Sequence, residues 1–303
     1  HGARGAMSLG QSNGGLPPDE LVEADESAIL KDMQRVVEAH HDHSPDAMVR
    51  VALAPCSPFT VTTDLMREAA TMARALKVGL HTHTAENWKD VAFSQERYGM
   101  TPTEFTESVG WVGEDVWHAH CVHLDEPGIA LFARTGTGVA HCPCSNMRLA
   151  SGIAPVRKML GAGVKVGLGV DGSASNDSGN LLDEARLAML SARVREQNAG
   201  DMTAREALRM ATRGGAEVLG RGDALGRIQV GYCADIVAFR TDDIAMAGGQ
   251  SDPIASLVFC PPPRVSWSVI NGRVVIENGE LLTRSLPHII EEQNRMAARL
   301  LDG

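Results

Sequence analysis

Two histidines and a glutamate stand at the end of one predicted strand. Residues 78–83, Val-Gly-Leu-His-Thr-His, form a predicted strand, and His81 and His83 fall on the same side of it because strand side chains alternate. Glu86 follows on the loop that leaves the strand. Neutral imidazole binds Zn²⁺, and a carboxylate on that loop can exchange a proton with a substrate held at the metal. A lone His-x-His in a strand is more often structural, so the metal hypothesis depends on the other strand ends.

The next predicted strand, residues 116–121, ends in an unusual density of histidine. His118, His120 and His123 lie within six positions, and at most one or two of them can face a shared centre. We expect His120 to do so, and His118 and His123 to be satisfied elsewhere in the fold.

Two later strands end in further polar residues. The first ends at His141 and is followed by Cys142 and Cys144, whose spacing lacks the two intervening residues of zinc motifs, which favours inert structural thiols. The second is a buried strand that ends just before Asp171, a position for a metal ligand or a general base. The next residue is Gly, so a simple Asx turn explains Asp171 equally well when it is taken alone.

One geometry accounts for all of these strand ends. Active sites form at the carboxyl ends of parallel barrel strands. His83, His120, His141 and Asp171 would converge there, with Glu86 beside them.

We expect one metal ion. The strand at residues 50–54 has no Lys to form the bridging carbamate of a two-metal centre. A catalytic zinc usually keeps three protein ligands and an open position. His83 and Asp171 supply two, so the remaining ligands would come from strands that precede this sequence, which opens on His rather than Met.

The elements around these residues alternate as parallel βα units do. The pattern predicts a (β/α)₈, TIM-like barrel whose first strands are missing, and an open doubly wound sheet is the alternative, although no Gly-rich dinucleotide motif follows any strand. Gly79 and Gly163 are expected to end helices, and Thr203 with Glu206 to form a capping box. The predicted strands are 1–8, 50–54, 78–83, 116–121, 137–141 and 165–170, and the predicted helices include 64–76, 127–134, 154–162 and 181–195.

The composition changes towards the C-terminus. We expect a partial barrel over residues 1–220, part of a β-sandwich over 221–284 and a helix over 285–303. Asn271-Gly272 lies between two β-rich runs, which is a strong hairpin signal.

Charge and composition exclude several classes of partner. A net charge of −10 argues against nucleic acid as a partner. The sequence has no apolar run long enough to predict a membrane span. The six dispersed cysteines favour a reducing cytoplasm, and we expect a homo-oligomer that acts on a small molecule. Zinc deaminases of the cytidine type are excluded, because Pro143-Cys144 has no second Cys three positions later.

The ordered motifs resemble the amidohydrolase superfamily, in its cytosine/guanine deaminase-like branch that includes triazine hydrolases. The finer likeness is to the 8-oxoguanine deaminase subgroup, in which Cys56 would be a marker. The matching segments are His83-Thr-Ala-Glu86, Ala119-His120-Cys-Val-His-Leu, His141-Cys-Pro-Cys-Ser-Asn146, Val170-Asp171-Gly-Ser-Ala-Ser-Asn176 and Gly231-Tyr-Cys-Ala-Asp235, with Ala54-Pro-Cys56-Ser-Pro-Phe59 for the subgroup.

The resemblance implies roles for these residues. His83 and Asp171 would hold one divalent metal, with zinc expected before iron, and Asp171 would also take a proton from the water that the metal activates. Glu86 would pass that proton to a ring nitrogen. His120 would hydrogen-bond the attacking water or a substrate oxygen. Arg4, Cys56 and His141, together with Glu86 and His120, are the expected contacts to the base.

The resemblance also implies an activity. We expect hydrolytic deamination of a free purine-type base, foremost 8-oxoguanine to urate and ammonia. The alternatives are a guanine, pterin or s-triazine aminohydrolase, or a non-catalytic scaffold that has lost its ligands. In the family, the first strand carries a His-x-His pair that binds the metal. Neither predicted strand that precedes His81 here carries such a pair, so we expect the sequence to be a fragment of a longer protein.

Overall fold

A computed structural model describes residues 2–13, 17–261 and 263–302 of the chain. Contacts divide the chain into two compact units, His1–Gly226 and Arg227–Gly303. The six cysteines are free thiols. No helix in the described part of the chain has the length and apolar character needed to cross a bilayer.

The first unit is built on six parallel strands that follow one another in space as they do along the chain. This sequential order is that of a barrel, whereas a doubly wound sheet reverses its order at a switch point. The barrel prediction is confirmed, and all six predicted strands are present. His1, where the first predicted strand begins, lies outside the described residues. The strands are β1 Gly2–Ala6, β2 Val51–Pro55, β3 Gly79–Thr84, β4 Val116–His120, β5 Gly138–His141 and β6 Val166–Leu168.

Helices follow each strand and cover the outer face of the sheet. Most of the longer ones begin at a side-chain cap, and Thr203 with Glu206 forms the predicted capping box. The helices are α1 Glu26–His40, α2 Thr63–Leu76, α3 Trp88–Tyr98, α4 Pro102–Ser108, α5 Glu126–Thr135, α6 Pro143–Arg148, α7 Val156–Gly161, α8 Leu181–Glu196, α9 Ala204–Arg209 and α10 Gly215–Val218, with a π-helical turn at Met210–Gly214 and 3₁₀ turns at Gln11–Asn13 and Asp19–Leu21.

One predicted helix end is wrong. Gly79 does not end α2, because Lys77 takes the left-handed C-cap position with φ 57°. Gly79 instead opens β3, where a Cβ atom would lie 2.6 Å from the Trp117 ring. Glycine is therefore required there by close packing. Gly163, with φ 87°, follows α7 as predicted.

The π-helical turn packs its backbone directly on β6, the strand that leads to Asp171. A Cβ atom on Gly214 would lie 2.3 Å from the carbonyl oxygen of Val166. Gly214→Ala is therefore expected to lower the free energy of unfolding by about 1–3 kcal/mol, the usual cost of overpacking. Urea denaturation measures this. Gly161→Ala is the control, because its added methyl would meet open space, and an equal loss in both variants would contradict the packing argument.

The second unit contains a four-stranded antiparallel sheet of β7 Ile236–Phe239, β8 Val265–Ile270, β9 Arg273–Glu277 and β10 Glu280–Leu281, in the order β10-β9-β8-β7. Asn271 and Gly272, with φ of 46° and 77°, form the predicted hairpin turn between β8 and β9. The other elements of this unit are a 3₁₀ turn at Ile244–Met246, α11 Pro253–Phe259 and α12 Leu286–Asp302.

Candidate metal centre

Three side chains from three strand ends meet at the carboxyl end of the sheet. One ligand atom each from His83, His120 and Asp171 lies within 4.8 Å of the others. Among the described residues, this is the one group of three or more His, Cys, Asp or Glu side chains that could hold a metal ion. Two imidazoles and a carboxylate are donors that zinc accepts, so the set fits a divalent metal. His120, expected only as a contact to the reacting groups, also lies where it could be a ligand.

His83 is oriented by the loop that follows β2. Its Nδ1 lies 2.6 Å from the backbone oxygen of Cys56, so Nδ1–H donates and Nε2 is the nitrogen that could bind a metal after losing its proton. The Cys56 thiol lies 4.0 Å from the same nitrogen. Burial lowers the pKa of His83, but the contacts with Cys56 and the Asp171 charge outweigh it and raise the pKa to about 9. Metal binding at this imidazole would therefore release a proton.

His120 is turned into the site by its backbone. It has φ 67°, a left-handed conformation that is uncommon outside glycine, and its ring stacks 5.3 Å from that of His83. Its Nδ1 lies 2.8 Å from Oδ1 of Asn146. Its Nε2 faces Glu86 Oε2 at 3.7 Å and Asp171 Oδ2 at 3.8 Å. Burial is the main cause that lowers the pKa of His120, which favours a neutral ring with its lone pair on Nε2.

Asp171 is held by two hydroxyl groups. Its Oδ2 accepts hydrogen bonds from Ser145 Oγ at 2.6 Å and from Ser175 Oγ at 3.1 Å. Burial acts to raise the pKa of Asp171, but the Ser145 hydrogen bond and the neighbouring His120 outweigh it and lower the pKa. The carboxylate is therefore ionised. Like His120, Asp171 has a left-handed backbone, with φ 62°, and strain of this kind is characteristic of functional sites.

Glu86 lies beside the three candidate ligands. One of its carboxylate oxygens accepts from Ser151 Oγ at 3.3 Å, and the other faces His120. Its side chain is 17% exposed, so it reaches both the buried ligands and the mouth of the sheet. A carboxylate in this position can move a proton between a metal-held water and a substrate.

Two further residues, His141 and Arg4, are predicted to contact the base. His141 is fully buried, neither of its ring nitrogens has a hydrogen-bond partner in the described part of the chain, and burial lowers its pKa to about 3. Arg4 pairs through its backbone with Leu53, and its side chain lies outside the described residues. Their contact with a substrate stays a prediction.

The other histidines near the strand ends have structural partners. His118 lies 2.7 Å from Thr84 Oγ1 and 2.9 Å from the Trp111 carbonyl oxygen, within hydrogen-bond distance of both. His123 contacts the Ser151 carbonyl oxygen, and its ring lies 4.1 Å from that of Trp88 at a tilt of 37°. Both therefore agree with the expectation that they are satisfied elsewhere.

Sequence reasoning missed two residues that orient the group. Ser145 and Asn146 are adjacent on α6, both are buried, and they bind Asp171 and His120 respectively. The available signal was a Pro in the first turn of a helix that begins just after a strand end. Such a Pro predicts a helix start at the carboxyl end of the sheet, where the next polar residues of the helix lie.

Comparison with known proteins agrees with this geometry. The sequence model of the amidohydrolase family matches residues 2–275. The chain is 41% identical to an 8-oxoguanine deaminase of Pseudomonas aeruginosa, over 99% of this chain and 66% of the relative. It is 38% identical to an isoxanthopterin deaminase from an unknown prokaryotic organism, over 90% of this chain and 60% of the relative. The chain thus spans less than two thirds of the length of these relatives.

A solved structure shows the same fold with a metal. The atrazine chlorohydrolase TrzN from Arthrobacter aurescens, crystallised with zinc, superposes with a TM-score of 0.90 at 39% identity, over 96% of this chain and 64% of the other. The donor set described above fits a divalent metal, and this neighbour was crystallised with zinc. The chain belongs to the amidohydrolase family.

Proposed function

We propose that the protein to which this chain belongs is a metal-dependent aminohydrolase that deaminates a free purine-type base, foremost 8-oxoguanine to urate and ammonia. One observation carries the proposal: His83, His120 and Asp171 present ligand atoms within 4.8 Å of one another. Glu86 stands 3.7 Å from His120, in position for proton transfer.

The candidate ligands have separate tasks. His83 would hold the metal through Nε2, and Asp171 through its carboxylate, with zinc proposed rather than iron because the zinc-bearing neighbour shares this fold. A bound divalent ion lowers the pKa of water towards ~7 and so supplies a nucleophile at neutral pH. Asp171, which is ionised, would take the proton that this water loses.

The protons of the attacking water would be passed to the substrate so that ammonia can leave. The water oxygen would bond to the ring carbon that bears the amino group, while the proton taken by Asp171 passes through Glu86 to the ring nitrogen. The second proton of that water, on the new hydroxyl group, would then pass to the amino group, so that the C=O bond forms as the carbon–nitrogen bond breaks and ammonia leaves. His120, whose Nε2 faces both carboxylates, would contact the attacking water or a substrate oxygen. Water is the second reactant, and no step needs an oxidant.

The choice of base rests on similarity. The 8-oxoguanine deaminase relative matches almost the whole chain, and Cys56, the subgroup marker, touches His83. The isoxanthopterin and atrazine enzymes show that related sites accept other heterocycles, so a pterin or s-triazine is the second candidate class. A non-catalytic scaffold would have no need of the carboxylate–imidazole set that Glu86, His120 and Asp171 form.

An ammonia-release screen of the full-length protein tests the proposed substrate. The panel is 8-oxoguanine, guanine, isoxanthopterin and an aminotriazine at equal concentration. We expect the highest kcat/KM with 8-oxoguanine. Preference for another member would replace the substrate and keep the reaction class, and no ammonia from any of them would contradict the proposed function.

A further inference from the structure

A buried glutamate on α8 ties together the two segments that orient the candidate ligands. Glu184 lies in the first turn of α8 and is fully buried. Its Oε1 accepts from Nδ2 of Asn176 at 2.7 Å, and its Oε2 accepts from the backbone N–H of Cys144 at 3.1 Å. One carboxylate thus joins the loop after β6 to the start of α6.

Asn176, the first partner of Glu184, also binds the backbone next to Asp171. Its Nδ2 also donates to the carbonyl oxygen of Val170 at 2.7 Å, and its Oδ1 accepts from the Gly179 backbone N–H at 3.3 Å. These contacts fix which way the amide faces. Val170 immediately precedes Asp171, whose left-handed φ of 62° must be held by its surroundings.

The second contact of Glu184, with the Cys144 N–H, holds the start of α6 in place. Cys144, whose N–H binds Glu184, is followed directly by Ser145 and Asn146. Ser145 donates to Asp171 at 2.6 Å, and Asn146 holds His120 at 2.8 Å. Glu184 therefore reaches two of the three candidate metal ligands, each through one intermediate segment, and touches neither.

We propose that Glu184 is a positioning residue that sets the metal affinity of the centre by holding the Asp171 loop and α6 together. Both of its partners are donors, so its two oxygens must both accept. Glutamine could accept from only one of them and would turn its NH₂ against the other, which leaves a buried donor unpaired. The inference rests on the proposed metal centre, and it does not depend on which substrate the site takes.

Metal binding and backbone exchange together test this role in the full-length protein. In Glu184→Gln we expect zinc affinity, measured by competition with a chelator, to fall about 10- to 100-fold, the range for residues that orient metal ligands. In the metal-free protein, amide hydrogen exchange over residues 170–178 should become faster. Asp183→Asn removes the same charge one residue earlier in the same helical turn, and its zinc affinity should stay within about twofold of the parent.

Two results would overturn the proposal. One is a folded Glu184→Gln protein with parental zinc affinity and parental exchange over 170–178. The other is an equal loss of zinc affinity in Asp183→Asn. If Glu184→Gln does not fold, Glu184→Asp, which keeps two acceptor oxygens on a shorter side chain, is measured in the same way, and parental values there also overturn it. Because neither readout uses a substrate, a lack of deaminase activity would count only against the proposed function.

Discussion

Asp171→Asn is expected to abolish ammonia release while the protein still folds. The amide has no negative charge for a metal and cannot take a proton from water at neutral pH. The variant should remain folded, because Ser145 and Ser175 carry hydroxyls that can rotate to meet an amide. Steady-state ammonia release and thermal unfolding measure the two parts of this expectation.

The control for this variant is Asp177→Asn. Asp177 lies on the same loop, its side chain is 72% exposed, and it pairs with Arg148 at 3.2 Å. Removing an exposed charge of this kind should leave activity close to the parent. Near-parental turnover by Asp171→Asn would contradict the role assigned to its carboxylate.

Glu86→Gln is expected to lower kcat at least ~100-fold, the scale of general acid–base catalysis. Glutamine keeps the size of the side chain and can still accept from Ser151, so substrate binding should change little. Initial rates over a range of substrate concentrations separate kcat from KM.

Glu126→Gln is the matched change on the surface. Its side chain is 74% exposed and pairs with Lys158, so its kinetics should match those of the parent. A Glu86→Gln effect confined to KM would show that Glu86 binds substrate and does not carry the proton.

The strand ends could be predicted from sequence because two simple regularities apply to them. Short apolar runs separated by amphipathic helices predict parallel strands, and parallel strands deliver their last residues to one edge. His83 and Asp171 follow directly from this. The position of His120 could be predicted only in part. Its ring reaches the group because its backbone is left-handed, and a histidine at that position does not predict such a conformation.

Contacts between distant residues could not be predicted in the same way. Glu184 binds a backbone N–H 40 positions away, and Ser145 binds Asp171 across 26 positions. Helical periodicity indicates that α8 has a buried face but not that a carboxylate on it meets two donors. The strand pattern also predicts that His141 contacts the base. The described structure buries both of its ring nitrogens without a hydrogen-bond partner, so that contact stays a prediction.

The metal content of the purified full-length protein tests the central claim most directly. Inductively coupled plasma mass spectrometry, after purification without added metal and without chelators, gives the ions bound per chain. A single centre at which His83 and Asp171 hold the metal and His120 faces the open catalytic position predicts about one divalent ion per chain, chiefly zinc. Less than about half an ion per chain, with no increase after incubation with zinc and gel filtration, would contradict a metal-dependent aminohydrolase and favour a scaffold.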